Sequence, residues 1–321
     1  MWTLMWRRWR SSKIRRRASR VWLVDARLWM EKGAHLCQDK KVRIYDPVAG
    51  GEALLVIDVG SNVYSLAVFT DPATGAPRLA CGTSKNDSAT DSWIYDVRDP
   101  VAGGEAVFDP VAGGEALVVL KMDDEVDALA AFKDPATGAP RLACASEKKV
   151  LVFDPVVGGD ALLVLDIGSY VNALAVFKEP ATSTPRLACS SDDGKVRIFD
   201  AVSGGNALLM LRVGSPVKGL VVFKDLATGA SRLASGSRDK KVRVFDPFAG
   251  GEALVVLEGH ADYVRALTAF TDPATGELRL ACGWRKVRIY DPVAGGEALS
   301  LMGTQTTCER WHSSSRTRRL A

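Results

Sequence analysis

Histidine is scarce: His35, His260 and His312 are all that 321 residues contain. A catalytic triad or a metal cage draws its histidines from loops that converge on one place, and only His260 lies in a loop where that could happen. Cysteine is also sparse, and no pair, with or without histidine, has the spacing of a zinc site. No apolar run is long enough for a secretory signal core or a membrane span. Each Gly-Gly follows a turn and precedes a strand, with no helix to offer its N-terminus, so a phosphate-cradling loop is absent. The run Asp192-Asp193-Gly194 lacks the other ligands of a calcium loop and reads as a tight turn. These absences lead us to expect no catalytic residue, metal, cofactor or small-molecule substrate.

Charge is divided unevenly. Residues 1–20 hold eight Arg or Lys and no acid, and residues 304–321 hold four Arg against one Glu, so the ends carry +11 of a net +4. The chain therefore divides into a basic arm (1–20), a mildly acidic body (21–303) and a basic tail (304–321), with any attraction to nucleic acid or anionic lipid confined to the ends. Within the arm, Trp2, Met5, Trp6 and Trp9 fall on one helical face and Arg7, Arg8 and Arg10 off it. That is the pattern of an interfacial amphipathic helix with weak affinity for anionic membranes. The same composition suits an organelle transit segment, nuclear import through residues 13–17, or a disordered basic tail. Residues 16–19 (RRAS) also fit a basophilic kinase site.

The body repeats. Residues 241–291 begin KVRVFDPFAGGEALVVLEGHADYVRALTAFTDPATGELRLACGWRKVRIYD and then start over. Alternation marks strands at residues 241–246, 252–257, 263–270 and 279–282. Between them, Asp-Pro and Gly-Gly, the Gly-His pair at 259–260, and DPATG supply turns. The Asp closing each unit recurs at Asp46, Asp96, Asp154, Asp200, Asp246 and Asp291, at spacings of 50, 58, 46, 46 and 45. Four strands in a period near 45 are the mark of an all-β propeller.

Residues 232–246 (RLASGSRDKKVRVFD) and 257–260 (LEGH) resemble the WD-repeat family, whose motif runs Gly-His, "LASGS", "VRIWD". The resemblance covers about residues 33–302. It implies a β-propeller acting as a non-catalytic scaffold for protein partners. Departures are systematic: the family's Trp is Tyr45, Tyr95, Phe153, Phe199, Phe245 or Tyr290 here, and Gly-His survives only at Gly259-His260. In the family, His, Asp, Ser and Trp form a hydrogen-bonded set in each blade, and no copy here keeps it whole. His260 then reads as a remnant of the structural His, and packing must carry more of the stability.

Six blades are expected, with first strands near Val63, Val126, Val171, Val217 and Val264 and a poor first blade. There, residues 33–46 (GAHLCQDKKVRIYD) match a second and third strand, and residues 21–30 are a weak candidate for the first. Residues 298–302 give the last blade its own outer strand, so each chain end finishes its own blade. Blade two has a lengthened connection at 82–92 and states DPVAGGEA twice, at Asp99 and Asp109; one copy can pair as the outer strand, and the other should loop out or frustrate the edge. Cys37, Cys81, Cys144, Cys189 and Cys282 occupy one strand position in five blades, with Ser235 in the other, too far apart to bridge. They read as small core residues, and reduced cysteines suit an intracellular compartment: cytoplasmic, or nuclear or organellar if the arm is a targeting segment.

One face of the ring repeats almost verbatim and the other varies. The residues just before each first-strand Val are Asn62, Glu125, Tyr170, Pro216 and Tyr263, and nearby stand Arg238, Arg265, Trp284 and Arg285. Aromatics and arginines dominate interface energetics, so a partner peptide or helix is expected across the variable face, with Tyr263 and Trp284 as anchors and Arg238 and Arg265 pairing its acids. A propeller enzyme and a drifted, non-functional repeat product are the alternatives.

Overall fold

The computed structural model describes residues 23–25, 40–45, 53–83, 105–108, 115–120, 122, 124–272, 275–284 and 286–303. Among them are 23 strands and no helix, arranged in six antiparallel sheets. Sheet one holds β1 (Leu23–Asp25), β2 (Lys41–Tyr45) and β3 (Leu55–Asp58). Sheet two holds β4 (Val63–Thr70), β5 (Pro77–Thr83), β6 (Glu105–Phe108) and β7 (Val118–Leu120). Sheet three is β8 (Ala128–Lys133), β9 (Pro140–Ser146), β10 (Lys149–Phe153) and β11 (Leu163–Asp166). Sheet four is β12 (Val171–Lys178), β13 (Pro185–Ser191), β14 (Lys195–Asp200) and β15 (Gly204–Arg212). Sheet five is β16 (Val217–Lys224), β17 (Ser231–Ser237), β18 (Val242–Phe245) and β19 (Val255–Leu257), and sheet six is β20 (Ala266–Thr271), β21 (Leu278–Gly283), β22 (Lys286–Tyr290) and β23 (Ser300–Gly303). Each runs as a simple meander, as tight turns between consecutive strands require.

Two expectations need correction. Strand β2 pairs with residues 23–25, the weak candidate for a first strand, in a register that sets Asp25 opposite Arg43; the expected second strand within residues 33–37 lies outside the described residues. In sheet two the third strand is β6 (EAVF), drawn from the first copy of the duplicated segment, so Phe108 lies opposite Leu79. The last two residues of the first copy, Glu105 and Ala106, are thus paired, since EAVF alternates as VRIF does; residues 99–104 and 109–114 lie outside the described residues. Tyr95 and Asp96 lie outside the described residues.

Five clusters of buried residues lie between consecutive sheets, from one–two through five–six. Strand β9 shows the cause. Its Leu142 and Cys144 face sheet two while Ala143 and Ala145 face sheet four, so both faces are apolar and small residues let the sheets approach. Cys81, Cys144, Cys189 and Cys282 are all buried, each in a different cluster, and burial pushes the Cys282 thiol up to about 12. Phe153, Phe199, Phe245 and Tyr290, the aromatics near the end of four third strands, are buried in the core.

At one end of sheets three and four, an arginine at the start of the second strand ties the first-to-second turn to the third-to-fourth turn. Arg141 reaches Asp134 (3.4 Å) and Asp154 (3.0 Å), and Arg186 reaches Glu179 and Asp200 (2.7 Å). The Gly-Gly of the third-to-fourth turn has a second duty. Gly250 adopts φ +71°, and a Cβ there would stand 2.6 Å from Leu209 on the outer strand of the preceding sheet. Gly158, Gly204 and Gly295 stand likewise against Val118, Leu163 and Val255. Verbatim repetition at this end therefore follows from packing between neighbours.

Candidate functional site

At the opposite end lie the second-to-third hairpins and the connections into each first strand. The first strands of sheets two, four and five carry a register shift that passes over Tyr64, Asn172 and Lys218. Asp127 and Arg265 hold the same place in sheets three and six, their amides donating to Ala145 O (3.0 Å) and Gly283 O (3.2 Å). A bulge re-aims one side chain while the core Val before it stays in place. The position following that Val therefore reads Tyr, Asp, Asn, Lys and Arg around the sheets.

Four side chains of sheets five and six form a ladder. The Arg238 guanidinium lies 5.6 Å from the Tyr263 ring centroid, Tyr263 stacks on Trp284 at 5.9 Å and 13°, and Arg265 lies 5.0 Å from Trp284. Such contacts contribute about 0.5–1 kcal/mol each at half-exposed sites. The loop bearing Arg238 is fixed by its amide, which donates to Pro216 O (2.9 Å). Close approach of the backbones sets Arg265: a Cβ on Gly219 would stand 2.3 Å from the Arg265 carbonyl oxygen. Burial and the Arg238 charge hold the Arg265 pKa below its ordinary value, while Asp127 and Asp192 act against that.

Beside the ladder is a polar knot. Lys218 Nζ donates to Asp192 Oδ1 (2.6 Å) and Asn172 Oδ1 (2.8 Å), and Asn172 Nδ2 donates to Asp192 Oδ1 (2.9 Å) and Val217 O (3.0 Å). Burial works to raise the Asp192 carboxyl, but the hydrogen bonds from Lys218 and Asn172 outweigh it and hold the group below the usual carboxylate range. Asp127 responds oppositely. Asp127 is exposed, yet partial desolvation by the surrounding groups pushes its carboxyl up to about 6. Glu125 and Asp192 add to the rise, and Lys218 and Arg265 oppose it.

Of the residues expected at the site, Arg238, Tyr263, Arg265 and Trp284 are brought into contact, and Glu125 acts on Asp127. Tyr170 is exposed, with Lys148 Nζ 5.6 Å from its ring centroid and its carbonyl accepting the Asp192 amide (3.0 Å). Asn62 and Pro216 are half-buried, and Pro216 contributes backbone to the ladder. Arg285 and the arm residues Trp2, Trp6, Arg7, Arg8, Trp9 and Arg10 lie outside the described residues. The sequence reading missed Asp127, Asn172, Asp192 and Lys218. It took the residue before each Val, whereas the bulge displays the residue after it, whose chemistry changes completely from repeat to repeat.

His260 is buried and belongs to a structural group. Its Nε2 lies 3.2 Å from Cys282 Sγ, and Tyr290 OH donates to Glu258 O (2.6 Å) beside it. Burial, with the Arg288 charge, pulls the imidazole down to about 4. Sheets four and five carry a different device. In sheet four, Ser191 donates to Asp193 (2.5 Å) and Arg197 to the same carboxylate (2.6 Å), and Ser237, Asp239 and Arg243 repeat it in sheet five. Among the described residues, no three His, Cys, Asp or Glu side chains group to hold a metal ion, and no helix is long and apolar enough to cross a membrane.

No family model and no curated protein matches the chain. Among solved structures it is similar to the crystal structure of the computationally designed Ika8 protein, with a TM-score of 0.55 over 87% of this chain and 73% of that one. Identity is 22%, so the likeness speaks for the fold alone.

Proposed function

We propose that the six sheets close into a six-bladed, WD-repeat-like propeller, and that the protein is a non-catalytic scaffold whose protein partner docks on the variable end. The observation that carries this reading is the Arg238–Tyr263–Trp284–Arg265 ladder. Aromatic and arginine side chains, drawn from two neighbouring sheets and half-open to solvent, have the composition of an interface hot spot. Because each arginine lies over a ring, its outward-facing donors are what remain for a partner's carboxylates. The knot around Lys218 and the Asp127 carboxyl extend the surface toward sheets three and four. The DPATG end offers mainly Asp, Pro, Ala and Gly, with little side-chain area to bury.

The test needs a partner, obtained by affinity purification from the native cell and identified by mass spectrometry. Tyr263→Ala or Trp284→Ala should then cost about 2 kcal/mol or more in binding, and Pro72→Ala or Thr74→Ala less than about 0.5 kcal/mol. If the ladder variants bind normally while the DPATG variants do not, the proposed docking end is wrong.

A further inference from the structure

The outer strand of every sheet bares apolar side chains. Leu54, Leu117, Leu162, Leu208, Leu254 and Leu299 are each between 52% and 62% exposed. In the first five, a Val or Met two residues on, such as Val56 or Met210, is more than 40% exposed. The intervening residues turn inward to the neighbouring sheet, so each stripe is the solvent face of an edge strand, where proteins ordinarily place charge. Exposed acids stand at the ends of several of these stripes: Asp58 follows the first, Asp160 and Asp166 flank the third, and Glu252 and Glu258 the fifth, with Glu258 also paired to Lys241 (2.6 Å), whereas Arg212 follows the fourth.

A single stripe supplies on the order of 200 Å², far below the roughly 1,200 Å² of a stable protein pair, so its occupant is a short segment and not a second folded body. Acids at its ends select a cationic segment. Residues 1–20 have that chemistry, with Trp2, Trp6 and Trp9 at helical spacing among eight Arg or Lys. They enter directly ahead of β1, two strands from the stripe on β3. The fourteen residues from Trp9 to Leu23 span at most roughly 45 Å, enough to reach it, and such a tether supplies an effective concentration on the order of millimolar.

The geometry points to the arm docking on the acid-bracketed apolar stripes of its own body, beginning with Leu54 and Val56, whatever partner the variable end takes. In the docked state the tryptophans cover the stripe and the arginines face its acids. The arm is then withheld from anionic membranes or nucleic acid until it is displaced.

Limited trypsin digestion of the full chain, followed by mass spectrometry of N-terminal fragments, tests this. Cleavage after Arg7, Arg8 and Arg10 should be at least about tenfold slower than in a synthetic peptide of residues 1–20, and should accelerate as added salt screens the acids. Replacing Leu54, Leu117, Leu162, Leu208 and Leu254 together by Thr should raise cleavage to the peptide's rate without a change in melting temperature. Should that variant fail to fold, Trp6→Ser with Trp9→Ser, which leaves every sheet intact, should give the same loss of protection. Wild-type cleavage at the peptide's rate, or protection that survives either set of substitutions, overturns the proposal. Protection that fades on dilution also overturns it, because the arm would then belong to another copy.

Discussion

The pKa values of Asp127 and His260 are displaced in opposite directions, each toward the uncharged form, and each gives a measurable consequence. The Asp127 carboxyl, at about 6 in the folded chain against 3.8 ordinarily, is penalised when it ionises, so its contribution to stability is greatest at low pH and is lost as pH rises through about 6. Carboxyl NMR should find that midpoint, and Lys218→Met should move it higher by removing a stabilising charge. His260 is held neutral, at about 4 against 6.5. Stability is full above 6.5 and falls as pH drops toward 4, by about 1–2 kcal/mol after allowance for solvent screening. Denaturant melts across that range should show a smaller fall for His260→Gln than for wild type. The structural role of His260 was legible from its place in the Gly-His pair. The role of Asp127 was not, because alternation alone does not say where a strand carries its bulge.

For the elements, turn chemistry decided most boundaries, and the exceptions are informative. The first-to-second turns at Gly75, Gly138, Gly229 and Gly276 use glycine at positive φ, but sheet four has Ser183 there at +59°. Ser183→Gly should therefore stabilise the protein by about 0.5–1 kcal/mol, read as a rise in melting temperature. Gly219→Ala should do the reverse, costing about 1–3 kcal/mol through overpacking against Arg265 and Leu267 and shifting Arg265 from Trp284. Loss of stability without loss of partner binding would separate the two effects. Strands β12 to β22 were legible in type and order, since Val-Arg-Ile-Phe and Leu-Ala-Cys alternate clearly between strong turns. Strands β1 and β6 were not: SWIYD and EAVFD have equal claim to one edge, and local pattern cannot choose between competitors for the same partner.

At the scale of the molecule, the period near 45 foretold repeated four-stranded sheets, whereas the joining of the ends depends on summed rotations that no local pattern states. A compact closed body over residues 21–303 should have a radius of gyration of about 19 Å by small-angle scattering, and an open arc would exceed it clearly. The notch that Gly250 leaves for Leu209, and its counterparts at Gly158, Gly204 and Gly295, have a consequence for how such a chain can change. Because each of these four units offers a glycine notch to its predecessor, which fills it with a Leu or Val of its outer strand, the units are similar couplings. Unequal recombination within the gene can then add or exchange a unit without creating a mismatched joint, and the doubled DPVAGGEA, absorbed by a shift of one strand, is the trace such an event would leave.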